Sequence, residues 1–405
     1  MTNTNPSLRH GWHPVALSSG IGDEPVSVRL LGDLWVIARL DDRVTALADR
    51  CPHLLAPPST GRPDAPQHVC PYHGWRFVAS GACTAMSAPG SGALQPERTR
   101  AAPAWGATER HGLVWIAPEE PFADIIDLPE AGDPTFDSRW LDVTRSPACA
   151  AVLADDLLDA ANLPFVHPSM VCTDPIRTGP IRTGAGGAGE QTITLRRSIA
   201  ADSDGFRIKM EQMVTNSGKP AVAAGPRPPG GRHRSTCTYR PPFQLRLVLE
   251  CPDAGITSTI FFCLQPEDAA STRIYARLLR NDLGGNPDRL TEAARIEQMI
   301  LDLHLTARQR RPLDGLPLTP TDCGTHDTDA DADMQTDDMQ TDSMPTRVQA
   351  NGMPADGTPV GVQSDAGIAL RQALSALVER AQRTPARDRP SGIRYARRAK
   401  AGSRP

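Results

Sequence analysis

The chain has 405 residues, a formal net charge of −4, and 22% charged against 39% hydrophobic residues. That length admits two domains with cores of their own, and the near-balanced charge argues against general binding to nucleic acid or a membrane surface. No apolar run approaches the roughly 20 residues that span a bilayer, and Met1-Thr2-Asn3-Thr4-Asn5-Pro6 lacks the basic-then-apolar pattern of a signal peptide. Nine cysteines, mostly scattered singly, predict a reducing, cytoplasmic setting without a disulfide framework, and 39 prolines predict long loops.

Residues 10–118 read as short strands joined by turns. Val26–Leu30 and Leu34–Ala38 are β-rich runs divided at Gly32-Asp33, Asp41-Asp42 turns into Val44–Leu47, and Leu113–Ala117 closes at Pro118. Between them lie Cys51-Pro52-His53 and Cys70-Pro71-Tyr72-His73-Gly74-Trp75. Each arm carries one Cys and one His, whereas structural zinc sites usually space Cys against Cys and His against His. One Cys and one His per arm suits a [2Fe–2S] cluster in which one iron takes both thiolates and the other both imidazoles. A structural zinc module is the alternative. The prolines stiffen the arms, and Gly74 lets the chain turn close to the cluster. His68, between the arms, reads as a loop surface residue, His10 and His13 as surface or packing residues, and Cys83 as a small buried hydrophobe.

Residues 119–150 are rich in Pro and acidic residues and read as a connection. A helical pattern follows from Ala151 to Leu163, with Leu153, Leu157 and Ala160 on one face and Pro164 ending it. Pro175–Gly179 repeats directly as Pro180–Gly184, a small duplication in a loop. Strands are predicted at 191–196, 206–210, 244–249, 257–262 and 273–278, a half-buried sheet by its alternation. Met210, Met213, Phe243, Phe261 and Phe262 read as core, with a pocket lining as the alternative. Leu290–Leu305 is helical, with Ile296, Ile300 and Leu303 as its stripe. From Arg308 to about Gln363 an acidic, repetitive composition predicts disorder, without the spacing of a calcium loop. Asp365 opens a last helix through Val378, with Leu370, Leu374 and Leu377 as its stripe, and a basic tail follows from Thr384.

From Gly11 to Trp115 the chain resembles the N-terminal half of Rieske non-haem iron oxygenase α-subunits, in the branch of vanillate O-demethylase and dicamba monooxygenase. The phrases carrying the resemblance are Cys-Pro-His-Leu-Leu-Ala-Pro at 51–57, with Leu54 where an Arg is usual, and Cys-Pro-Tyr-His-Gly-Trp-Arg-Phe at 70–77. The resemblance implies an α+β chain: an all-β Rieske [2Fe–2S] domain over 1–118, a connection over 119–150, and a helix-grip-like catalytic domain of antiparallel sheet and helices. That domain would comprise 151–305 and 364–383, interrupted by an acidic insertion at 306–363 and followed by a basic tail at 384–405. Cys51, His53, Cys70 and His73 would hold the cluster.

Further along, the family motif puts Asp159 as the residue relaying electrons from a neighbouring subunit's cluster and His167 as a ligand of a mononuclear Fe(II). Asn162 stands where the family has its first iron-binding His, a weaker donor that cannot pass on a hydrogen bond as imidazole does. The third, carboxylate ligand falls on Glu292, or on Ala293 if the register moves one step; a first-turn Glu complementing the helix dipole is the plainer reading of Glu292. The function implied is a terminal oxygenase fed by a ferredoxin or flavin-dependent reductase. It would use O2 to hydroxylate or O-demethylate a small, aromatic or ring-containing substrate, in a homotrimer. The alternative is a cluster-bearing electron-transfer or redox partner protein whose second iron site has degenerated at Asn162.

Overall fold

The computed structural model describes residues 1–40, 42–61, 63–64, 67–86, 100–158, 191–202, 204–216, 231–309, 315–318, 346–348 and 365–384. The N-terminal part is built from three small antiparallel sheets. β1 (His13–Leu17) pairs with β10 (Leu113–Ala117), which pairs with β9 (Gly106–Arg110). β2 (Val26–Leu30), β3 (Asp33–Leu40) and β4 (Arg43–Ala48) form a meander, as the β-rich runs predicted. The third sheet joins β5 (Pro63–Asp64), β6 (Gln67–Val69), β7 (Arg76–Phe77) and β8 (Cys83–Ala85). The turns at Leu31-Gly32 and His111-Gly112 hold both residues at positive φ, the geometry that matches the twist of two-residue hairpins.

The second part is a long antiparallel meander. In spatial order it runs β11 (Asp137–Trp140), β18 (Ser271–Arg280), β17 (Ile256–Asp268), β16 (Gln244–Cys251), β15 (Gly231–Arg240), β14 (Gly205–Asn216), β13 (Gln191–Asp202) and β19 (Thr346–Val348), with β12 (Thr144–Ser146) also pairing with β18. Side chains alternate between the faces of β17 and β18. Phe261, Cys263, Tyr275 and Leu279 pack with Trp12, Leu113 and Trp115 of the N-terminal part. Ile260, Phe262, Leu264, Ile274 and Leu278 face the main core, which includes residues of three helices, α1 (Ala150–Leu157), α2 (Pro287–Gln309) and α3 (Asp365–Arg383). Burying a side chain such as Phe261 contributes roughly 2–3 kcal/mol, so this shared core ties the two parts together. Sequence reading passed over β15, because Arg232, His233 and Arg234 mask the buried Cys237 and Tyr239 further along.

Three expectations change. The stretch 119–150 is not a bare connection: it supplies β11 and β12, and Ile125, Ile126 and Leu128 are buried against the sheet. Its Glu130 is buried as well, ion-paired with Arg246 and accepting a hydrogen bond from Thr259 (2.9 Å). Within 306–363, Leu316 is buried and hydrogen-bonds Met1 (2.9 Å), and 346–348 pair with β13; the acidic repeat at 327–342 lies outside the described residues. Cys251 is disulfide-bonded, its partner lying outside the described residues, so not every cysteine beyond the clamps is a single thiol. Among the described residues no helix is long and apolar enough to cross a membrane.

Candidate metal centre

The two clamps fold by one backbone plan. The carbonyl of Cys51 accepts from the N–H of Leu55 (2.8 Å), and the Cys51 N–H donates to Ala56 (2.9 Å). The carbonyl of Cys70 likewise accepts from Gly74 (2.9 Å), and its N–H donates to Trp75 (2.8 Å). Both plans need a left-handed residue, which is Gly74 (φ 68°) in the second clamp and Leu55 (φ 65°) in the first. Glycine adopts that conformation freely, whereas a leucine there is strained by its Cβ.

These loops bring the four sequence-predicted donors together as two pairs. Cys51 and Cys70 are buried and lie close enough for Cys70 to help raise the Cys51 pKa. Burial pushes the Cys51 thiol up to about 12, while the backbone N–H groups of His53 and Leu54 pull the other way by favouring the thiolate. The Nδ1 atoms of His53 and His73 stand 3.1 Å apart. Among the described residues no three His, Cys, Asp or Glu side chains gather as ligands for one metal ion. Sulfur beside sulfur and imidazole beside imidazole is the donor division of a two-iron cluster, and it does not suit a single tetrahedral zinc. The residues present fit a [2Fe–2S] group.

Around the donors the clamps are braced and partly sheathed. Asp49, buried two residues before Cys51, accepts from the N–H (2.9 Å) and hydroxyl (2.6 Å) of Ser59 and from the hydroxyl of Ser27 (2.8 Å). Sequence reading missed this brace; the two serines are remote from each other in sequence, and no local pattern joins them. Trp75 is buried and stacks on His53, centroids 4.4 Å apart at 8°. Tyr72 tilts over His73 at 4.1 Å and is 62% exposed, and Leu54 and Leu55, which follow His53 on the first clamp, are exposed as well. Residues 51–61 and 70–75 contain no charged side chain.

His68 is buried on β6 rather than on a loop surface. Thr45 donates its hydroxyl proton to Ala38 (3.1 Å), so the 3.0 Å contact makes His68 Nε2 the donor to Thr45. Burial lowers its pKa to about 4, which keeps it neutral and structural. His13 is also buried and neutral, held by a 2.7 Å contact from Nε2 to the Leu8 carbonyl.

The second predicted site is not assembled by the described residues. Asp159, Asn162 and His167, like the duplicated loop at 175–184, lie outside them; α1 ends its described turn at Leu157. Glu292 is among the described residues. It lies on the outer face of α2, in a bidentate pair with Arg295 (both contacts 2.7 Å), which holds its carboxyl below the usual range. The helix begins at Pro287 with Asn286 capping the N–H groups of Asp288 and Arg289 (3.0 and 3.1 Å), and this phase turns Ala293, Ala294, Glu297, Leu301 and Leu305 inward. Glu297 is the carboxylate on that inner face; burial raises its pKa to about 8, against the pull of Arg280.

Comparison with known proteins agrees with this division into two parts. Residues 11–97 match the Rieske [2Fe–2S] domain, and residues 146–332 match the vanillate O-demethylase oxygenase C-terminal domain. The chain is 32% identical over 302 residues to a protein of Comamonas testosteroni described as TsaM2, the iron–sulfur subunit of a toluene-4-sulfonate monooxygenase system. The alignment covers 66% of this chain and 83% of that one. The chain belongs to the Rieske oxygenase family. The family's Rieske domain implies a [2Fe–2S] cluster, and its oxygenases also use a mononuclear iron. Methylxanthine N1-demethylase NdmA of Pseudomonas putida is 32% identical over 189 residues, covering 43% of this chain; the match spans about half, 51%, of that relative's length. The solved structure of NdmB from Pseudomonas putida superposes with a TM-score of 0.61 at 21% identity, covering 93% of this chain and 94% of that one, which extends the shared fold beyond the sequence match.

Proposed function

We propose that this chain is the terminal oxygenase component of a Rieske system, with Cys51, Cys70, His53 and His73 holding the cluster. The observation that carries the reading is the pairing of two buried, neighbouring cysteines with two Nδ1 atoms 3.1 Å apart. The chemistry supplied when both groups are bound is one-electron storage at the cluster and O2 activation at the second iron. The chain's own residues bury the thiolates, leave the imidazole pair near the surface where an electron can enter or leave, and keep water from the buried side with Trp75.

In this proposal the second iron draws on His167 and Asn162, with Asp159 as the relay, and Glu292, which faces outward, is not carried into the assignment. The partners are a ferredoxin or flavin-dependent reductase and a small ring-containing organic substrate to be hydroxylated or O-demethylated. The names of the relatives support that substrate class, since they act on methylxanthines and toluene-4-sulfonate. A homotrimer suits the exposed, uncharged side chains of Leu54, Leu55 and Tyr72 on the two clamps, which favour packing against another copy over a charge-steered encounter. A cytoplasmic setting belongs to the same proposal, on the largely single cysteines. The alternative, a cluster protein with a degenerate second site, rests on Asn162 alone.

The test is iron content together with reductase-driven, substrate-dependent O2 uptake. About three irons per chain and coupled uptake are expected, against about two for the cluster alone. Two irons and no uptake, with uptake created by Asn162→His, would replace the oxygenase by the alternative.

A further inference from the structure

Trp75 carries a polar atom that the clamps leave without an acceptor. Its ring is 2% exposed, and among the described residues its Nε1–H has no hydrogen-bond partner. A buried indole N–H nearly always finds one, because leaving it unmade forfeits the full cost of removing it from water. Trp35 has a second such N–H, but it packs in the main core and not in the small core that contains Cys51 and Cys70. Burial without an acceptor is therefore not what singles out Trp75; its place is.

That place is defined by two contacts. Trp75 packs in the small core that contains both Cys51 and Cys70. It also stacks nearly parallel on His53, at 8°. An indole N–H lies in the plane of its own ring. In a parallel stack it runs alongside the imidazole and not into a ring nitrogen, so His53 is not its acceptor. What the donor set would hold between Cys51, Cys70, His53 and His73 is a group whose only acceptors are sulfur atoms.

On the assignment of those four residues as cluster ligands, we propose that Trp75 donates its Nε1–H to a sulfur of the bound [2Fe–2S] cluster. The indole then has two roles in one side chain: its face fixes the His53 ring, and its edge supplies a hydrogen bond. A hydrogen bond to sulfur favours the reduced, more negative cluster, so this donor raises the reduction potential. It is a tuning contact set by the protein, separate from the identity of the ligands.

The test is Trp75→Phe in the full chain, which retains a ring against His53 and removes the N–H. The midpoint potential, read by redox titration of the cluster's visible spectrum, is expected to fall while cluster content is unchanged. In wild-type protein grown with ¹⁵N-indole, pulsed EPR of the reduced cluster is expected to show a coupled indole nitrogen that is absent from Trp75→Phe. An unchanged potential in an intact variant overturns the proposal. Should the variant assemble no cluster, the wild-type measurement decides alone: a coupled indole nitrogen supports the hydrogen bond, and none overturns it. A wild-type protein with no Rieske EPR signal would instead fail the ligand assignment, which is a different result.

Discussion

The two clamps carry out one task with unequal means. The second is a hairpin loop: it joins β6 directly to β7, and the Val69–Arg76 pairing closes it from below. Its tight position is Gly74, which meets the left-handed backbone without strain. The first follows β4 but has no partner strand directly on its far side, since Pro58–Thr60 is a short 3-10 turn. It is closed by side chains instead, Asp49 gripping Ser59 and Ser27, and its tight position is the strained Leu55. A loop closed by sheet register can be read from local sequence. One closed by a buried carboxylate and two distant hydroxyls cannot.

Loss of a donor should have the largest effect. Cys51→Ser and Cys70→Ser should each abolish the cluster's visible absorption and its reduced-state EPR signal completely, because in the proposed assignment each clamp would supply one thiolate to the same iron. Retention of the signal in either variant would break the equivalence of the two halves. Removing the brace comes next. Asp49→Ala leaves three donors around a buried hole and should cost about 3 kcal/mol or more in urea unfolding, with a lower cluster content; Ser59→Ala should cost about 1 kcal/mol. Equal stability of Asp49→Ala and wild type would show that the first clamp is closed by something else.

How much of this was legible follows the same division. The clamps, β2, β3, β4 and β10 of the N-terminal sheets and most of the large sheet could be read from alternation and from two short phrases, since those features are local. β15 was hidden by its charged outer residues, and β11 and β12 by the prolines and acids around them, although Ile125, Ile126 and Leu128 were the apolar signal that this stretch is anchored. Glu292 was positioned by counting back from Glu297, whereas helix phase decides which carboxylate turns inward, and that one is Glu297. Five residues along a helix is about 140° of rotation, so the two cannot share a face. Leu55 gave no sequence warning, because positive φ is a property of the closed loop and leucine does not announce it.

The tight positions give the smaller effects. Gly74→Ala places a Cβ where φ is 68° and should destabilise by about 1–2 kcal/mol, read as a lower melting temperature with cluster content following it. Its counterpart runs in the other direction. Leu55→Gly releases strain of similar origin, but the freer unfolded chain takes back roughly 0.5–1 kcal/mol, so the net change should be near zero to about 1 kcal/mol of added stability. A clear loss of stability would mean that the Leu55 side chain makes a contact the closed loop depends on. A stable Leu55→Gly protein that no longer sediments as the wild type does would locate the use of this exposed leucine in assembly. The strain then persists for the surface it presents, and the sheet-closed clamp, with its glycine, is the half free of that demand.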